Sequence, residues 1–294
     1  MTIFGIPLQA FMMQLVIGLV NGSFYALLSL GLAVIFGMLN IINFAHGALY
    51  MMGAVGTWMA LEYLHLGWGW ALILVPLAVG VFGIIVERTL LQWLYRLDHL
   101  YGLLLTFGLA LMLEGFFTNQ YGSSGLAYSP PKEISGLLNL GFMALPRYRA
   151  FVILAALVVC LATWFIIEKT WLGAFLRAAT ENPKLTQAFG INVPVMVMLT
   201  YGFGAALAAF AGVLAAPAIQ ISPIMGSNVI ITVFAVVVIG GMGSILGSVV
   251  AGMGLGLIEG LFRVIWPQAS ATVVFAIMAL VLLIRPAGLF GRER

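Results

Sequence analysis

The chain is 294 residues long; 63% of its residues are hydrophobic and only 7% are charged. A soluble domain carries about 25% charged residues to cover its surface, so this composition excludes an ordinary soluble fold and points to a membrane protein. The formal net charge of +3 comes from twelve basic residues scattered between apolar stretches, which is the pattern of topology signals and not of a nucleic-acid-binding face.

No Asp, Glu, Lys or Arg occurs from Met1 to Leu61, or from Leu185 to Ile258. One crossing takes about 20 apolar residues, so the second run holds three crossings. Barrel strands alternate apolar and polar residues over segments of about ten, whereas the apolar runs here are continuous. The expected fold class is an all-α polytopic membrane protein, forming a single transmembrane domain over 1–294. Residues Met1–Gln9 lack the Lys or Arg of a secretory signal and are not read as one. With Cys160 as the single cysteine, no internal disulfide is expected.

Helices are predicted at roughly 11–37, 41–62, 69–95, 100–120, 150–168, 195–219, 227–242, 245–262 and 268–285. That makes eight or nine transmembrane helices, according to whether the spans near 41–62 and 227–262 cross fully or are re-entrant. Some are short or broken, and an internal pseudo-repeat is a further expectation. In the first span, Asn21, Tyr25 and Ser29 recur every four residues and form one polar stripe. Asn40, Asn43 and His46 follow at spacings of three, just before Gly47. An unpaired polar group in lipid costs several kcal/mol. These side chains therefore either cap helices and bond between them, or line a conduction path.

Trp68 and Trp70 are expected at headgroup level. In the fourth span Glu114 ends a row of Gly102, Thr106 and Ala110, so it should point at another helix and not at lipid. Gly122–Tyr148 is polar, with Ser123, Ser124, Pro130, Pro131, Lys132 and Pro146, and is the long loop on its side. With nine crossings, Arg88, Arg96, Lys169, Arg177, Lys184, Arg285, Arg292 and Arg294 fall on one side, and Lys132, Arg147, Arg149 and Arg263 on the other. The richer side is expected to be cytoplasmic, which puts the N-terminus outside and the C-terminus inside.

The stretch Glu168–Ile191 carries two short helix signals. Trp171, Phe175 and Ala178 share one face. Asn182 then caps a second helix, Pro183 takes its first position and Gly190 closes it, with Leu185, Ala188 and Phe189 on its apolar face. Such a hairpin suits a docking element or a membrane-surface connector. Further on, Gly202, Gly204, Ala205, Ala208, Ala209 and Gly212 form a small-residue face, as do Ser244, Ser248, Gly252, Gly256 and Gly260 beside Gly243, Gly247 and Ala251. Small residues let helices approach in lipid. Gly240-Gly241-Met242-Gly243-Ser244 should break its helix, as a packing device or as a hinge in a pathway. Glu259 is a second acid inside a span, near a helix end.

Enzyme readings find little support. His46, His65 and His99 lie in no His-Glu-x-x-His pattern, and Asp98 is the only aspartate. None of Lys132, Lys169 and Lys184 follows a glycine, so there is no Gly-Lys-[Ser/Thr] phosphate loop. No catalytic residue, metal site or cofactor is expected in this chain. The candidate pathway residues are Asn21, Tyr25, Asn43, His46, Glu114, Gly241, Gly243 and Ser244.

The chain resembles the permease subunits of ABC importers for branched-chain amino acids, the LivH type. The resemblance covers nearly the whole chain. It rests on Asn21-Gly22-Ser23-Phe24-Tyr25-Ala26-Leu27, on Asn43-Phe44-Ala45-His46-Gly47, and on Arg177–Ile191 with Asn182-Pro183. It rests also on Gly240–Ser244 followed by Gly247, and on Arg285-Pro286-Ala287-Gly288-Leu289-Phe290-Gly291. It implies that the cytoplasmic loop at about 169–194 couples to an ATPase, through Trp171, Phe175, Arg177, Ala178, Glu181, Asn182, Pro183, Phe189 and Gly190. The general importer pattern of Glu-Ala-Ala with a Gly three residues later is absent, and Arg177-Ala178-Ala179 stands in its place. The partners it implies are two ATP-binding subunits, a second related permease, a periplasmic or extracellular substrate-binding protein, and membrane lipid, in a bacterial inner membrane. Relatives of this type serve Leu, Ile and Val, while similar permeases move other amino acids, amides or urea. The competing expectation is a stand-alone secondary transporter or channel that uses Glu114 or Glu259 as a proton site.

Overall fold

The computed structural model describes residues 2–3, 6–39, 42–95, 97–131, 134–139, 141 and 144–291. Asn40, Arg96, Lys132, Arg292 and Arg294 lie outside the described residues. The helices are α1 (Leu8–Leu39), α2 (Ala45–Glu62), α3 (Trp68–Thr89), α4 (His99–Tyr121), α5 (Arg147–Lys169), α6 (Trp171–Glu181), α7 (Pro183–Ala188), α8 (Val193–Ala215), α9 (Met225–Gly240), α10 (Ile245–Ile265) and α11 (Val273–Ile284). Six of them, α1, α3, α4, α5, α8 and α10, are long and apolar enough to cross a membrane, and α9 and α11 are apolar but shorter. The fold is an all-α polytopic membrane protein. The long polar loop holds the small hairpin of β1 (Leu137–Asn139) and β2 (Ala144–Pro146), which pair antiparallel.

The centre of the bundle is α1 and α8. In each, 72% of the most apolar window is buried, against 11% in α4, so α4 is peripheral. Glycines explain the central packing. A Cβ on Gly252 would lie 2.6 Å from Ala26 N, one on Gly260 would lie 2.6 Å from Gln14 O, and one on Gly256 would fall on Gly22. The predicted row on α10 is therefore the seam against α1. On α8, Gly204 faces Ile35 and the Gly31 carbonyl of α1, Gly202 faces Ile84 of α3, and Gly212 faces the Tyr50 carbonyl of α2. The Tyr148 hydroxyl adds a tie from α5, donating to Leu214 O at 2.7 Å.

The basic residues separate toward two ends. Gly37 lies against Gly243, and Thr180 against Met38, so the end of α1, the α6–α7 hairpin and the α9–α10 turn share one end with Lys169, Arg177 and Lys184. Arg149 reaches Met13 and Gly260 packs on Gln14, so Arg147, Arg149 and Arg263 occupy the other. Trp68 and Trp70 differ in how they are covered. The Trp68 ring packs edge-on against Tyr148 and Phe151, at centroid distances of 5.8 and 5.4 Å, because the start of α5 covers it. Trp70 is 63% exposed.

The α1–α10 seam gives a direct test. Gly256→Val must force two backbones apart, whereas Gly254 has open space around it. Gly256→Val should cost at least about 2 kcal/mol, seen as a lowered Tm of the purified protein in detergent, with Gly254→Val unchanged.

Candidate functional site

The turn entering α2 is pinned from three sides. Asn43 Oδ1 accepts from Ala45 N at 3.1 Å, closing the first turn of the helix, and Asn43 Nδ2 donates to the Tyr201 hydroxyl of α8 at 3.1 Å. The Thr106 hydroxyl of α4 accepts from Phe44 N at 3.2 Å. His46 is fully buried, with Nε2 3.0 Å from the Leu28 carbonyl of α1. Leu28 is eleven residues, or about 16 Å, from the end of α1, so α2 starts well inside the bundle. Gly31 makes room for the imidazole, since a Cβ there would lie 2.9 Å from the ring. The sequence reading singled out Asn43 and His46 but not Tyr201 or Thr106, and no local signal links those positions.

The stripe of the first span faces α10. The Tyr25 hydroxyl donates to Glu259 Oε2 at 2.8 Å, and Ser29 donates to the Ser248 carbonyl at 3.2 Å. Asn21, on the same helix, is partly buried. Glu259 is 6% exposed, and Arg263 one turn on pairs with its Oε1 at 2.5 Å. Tyr25, Glu259 and Arg263 thus form one polar cluster across the seam. Sequence reasoning missed a third acid: Glu87 is 4% exposed near the end of α3, and Tyr95 donates to it at 2.7 Å.

The glycine break lies where expected. The last residue of α9 is Gly240, and Ser244 caps α10 by accepting from Gly247 N at 3.1 Å. Gly241 and Gly243 take φ values of +101° and +83°, in the left-handed region that favours glycine. The segment Arg285–Gly291 folds back onto this break. Leu289 N donates to Ile239 O at 2.8 Å and Phe290 N to Gly240 O at 3.1 Å, so the tail satisfies carbonyls that the end of a helix leaves open. Sequence alone identified both motifs but not their contact.

Beside the break is a cavity of about 1030 Å³, lined by Gly243 and Ser244, by Arg177 and Glu181 of α6, and by the last turns of α1. Candidate pathway residues and candidate coupling residues therefore meet at one end of the bundle. Arg177 donates to the Ile167 carbonyl at 2.7 Å and lies 3.8 Å from Glu168, fixing α6 to the end of α5. Asn182 accepts from Leu185 N at 3.1 Å, Pro183 opens α7, and Gly190 has φ +84°. The hairpin turns its aromatic side chains outward: Trp171 is 81% and Phe189 78% exposed, and Phe175, Ala178, Leu185 and Ala188 are exposed with them. Glu114 lies apart from both groups. Its Oε2 accepts from the Ser227 hydroxyl at the start of α9, so it points at another helix as its row predicts.

A bundle with six helices long and apolar enough to cross a membrane, and with a glycine break and an amphipathic hairpin together at one end, suits a membrane transport protein. Residues 14–284 match the family described as "Branched-chain amino acid transport system / permease component", and the chain belongs to that family. It is 31% identical over 301 residues to the high-affinity branched-chain amino acid transport system permease protein LivH of Escherichia coli (strain K12), covering 96% of both chains. In Salmonella typhimurium (strain LT2) it is similar to two proteins of that system. It is 30% identical to the permease protein LivH, over 96% of both chains, and 26% identical to the permease protein LivM, over 92% of this chain and 68% of the relative. No solved structure matches the chain.

At Gly241 a Cβ would lie 2.5 Å from Gly291 N, and the backbone is left-handed. Gly241→Val therefore combines strain of about 1–3 kcal/mol with displacement of the tail. At equal membrane abundance it should block transport, while Gly254→Val transports normally. Equal transport by the two would show the break to be a tolerated irregularity.

Proposed function

We propose that this chain is the membrane-spanning permease subunit of an ATP-driven ABC importer that carries amino acids, branched-chain ones (Leu, Ile, Val) first, across a bacterial inner membrane. The observation that carries the reading is the α6–α7 hairpin. It is capped and fixed to the bundle, yet it presents Trp171, Phe175, Phe189 and Leu185 uncovered. An exposed apolar patch rimmed by polar residues marks an interaction site. Its place beside the cavity and the glycine break suits a lever that transmits movement from a partner into the bundle.

The chain acts as one permease domain over 1–294 and performs no chemistry itself. ATP is bound and hydrolysed by two partner subunits docked on the hairpin, through Trp171, Phe175, Arg177, Ala178, Glu181, Asn182, Pro183, Phe189 and Gly190. A second related permease completes the membrane part; the presence of a LivH and a LivM relative in one organism supports a pair of unlike subunits. A soluble binding protein delivers substrate to the outer face. The hairpin end, rich in Lys and Arg, lies in the cytoplasm, with the C-terminus on the same side. Asn21, Tyr25, Asn43, His46, Glu114, Gly241, Gly243 and Ser244 belong to the pathway or to the elements that move around it. The pairing of Glu259 with Arg263 and Tyr25 argues against a free proton carrier at Glu259.

Two measurements check this. Ala178→Arg or Phe189→Asp should abolish ATP-driven uptake by the assembled complex while the chain still inserts and folds; normal uptake in both would sink the docking assignment. The chain purified alone and placed in vesicles should show no uptake driven by an ion gradient.

A further inference from the structure

The least buried of the six long helices, α4, carries a carboxylate part-way along its length. Glu114 lies seven residues, or about 10 Å, inside the last residue of α4. It is only partly covered, and its bonding partner Ser227 and the adjoining Asn228 are both exposed. Neither α4 nor α9 contains a Lys or Arg. Among the described residues the ion pairs are Arg177–Glu168 and Arg263–Glu259, and Glu114 is in neither. An acid within a span is costly unless it meets a cation or an aqueous cavity. A single hydroxyl donor leaves most of a carboxylate's acceptor sites open.

The surroundings favour water over lipid. The chain outward of this pair is irregular on both sides: Leu126 bridges Ile221, and Gln220 donates to the Ser124 carbonyl at 2.9 Å. These loop segments follow the ends of α4 and α8, so the pair sits within about two helical turns of polar chain. The pair lies at the end of the bundle away from the α6–α7 hairpin, which is the outer end on the orientation above. The arrangement offers a negative oxygen and a hydroxyl that donates to it while keeping its own lone pairs free. A primary ammonium group has three donors to place on such a set.

We propose that Glu114 and Ser227 form an outer recognition site for the ammonium group of the substrate as it enters. This rests on the amino-acid importer reading, and it adds the group recognised and the residues that recognise it. The carboxylate holds the charge, and its free acceptor sites and the Ser227 oxygen take the N–H bonds. A substrate without a cationic nitrogen gains nothing there.

The test uses the complete complex in vesicles. Ser227→Cys places a thiol beside Glu114, and the native Cys160 is 2% exposed and stays silent. A cationic methanethiosulfonate should react at least about tenfold faster than an anionic one. Glu114→Gln should erase that preference, and L-leucine supplied with the binding protein during ATP turnover should slow the reaction. In uptake assays Glu114→Gln should cut L-leucine transport about tenfold, the worth of a charged hydrogen bond, with Glu114→Asp recovering part of it. Unchanged uptake in Glu114→Gln overturns the proposal, as does a thiol that reacts with neither reagent. Loss of the second permease from the Glu114→Gln complex also overturns it, because Glu114 would then pair subunits and not substrate. A wild-type complex that moves no amino acid overturns the importer reading itself, a result visible before any variant is made.

Discussion

Close backbone packing of α1 against α10 on one side and α8 on the other is the constraint on which the rest of the molecule depends. In lipid, apolar side chains gain little by meeting one another, so helix association relies on close van der Waals contact and interhelical hydrogen bonds. Gly18, Gly22, Gly252, Gly256 and Gly260 bring α1 and α10 to within a side chain's breadth of each other. That approach sets the register in which Tyr25 meets Glu259 and Ser29 meets the Ser248 carbonyl. Gly31 and Gly204 do the same for α1 and α8, leaving the space that His46 fills. A shift of one residue along either seam would leave buried polar groups unpaired, each costing about 1–3 kcal/mol.

Two kinds of surface result. Three buried polar side chains meet protein partners: Asn43 with Tyr201, Glu87 with Tyr95, Glu259 with Tyr25 and Arg263. The α6–α7 hairpin instead leaves its aromatic rings uncovered. A closely packed bundle with one uncovered hairpin suits a subunit whose energy source lies in another chain. A cavity lies between that hairpin and the α9–α10 turn.

What was legible in the sequence was local. Asn182, Pro183 and Gly190 set a short helix within nine residues, and each occupies the position its chemistry suggests. The small-residue rows of α8 and α10 were equally plain, because a period of about four residues is a property of one helix. The break at 240–244 followed from glycine alone. Choice of partner was not legible. Asn43 and Tyr201 are 158 residues apart, and Tyr25 and Glu259 are 234 apart; spacing along one helix says nothing about which other helix will face it. Trp68 shows the same limit, since nothing in the sequence links it to Tyr148 and Phe151. The candidate pathway residues are distributed by the fold among the α1–α10 seam, the entry to α2, the pair at Glu114 and the cavity beside the hairpin.

The folded-back tail has a consequence for biosynthesis. The carbonyls of Ile239 and Gly240 are met by the amides of Leu289 and Phe290, about fifty residues later in the chain. During synthesis α9 must therefore wait, its last turn open, until α10 and α11 have been threaded into the bilayer. A chain that stops before Leu289 leaves these two carbonyls without their donors. The same few backbone bonds thus finish one helix only after the two that follow it have been made.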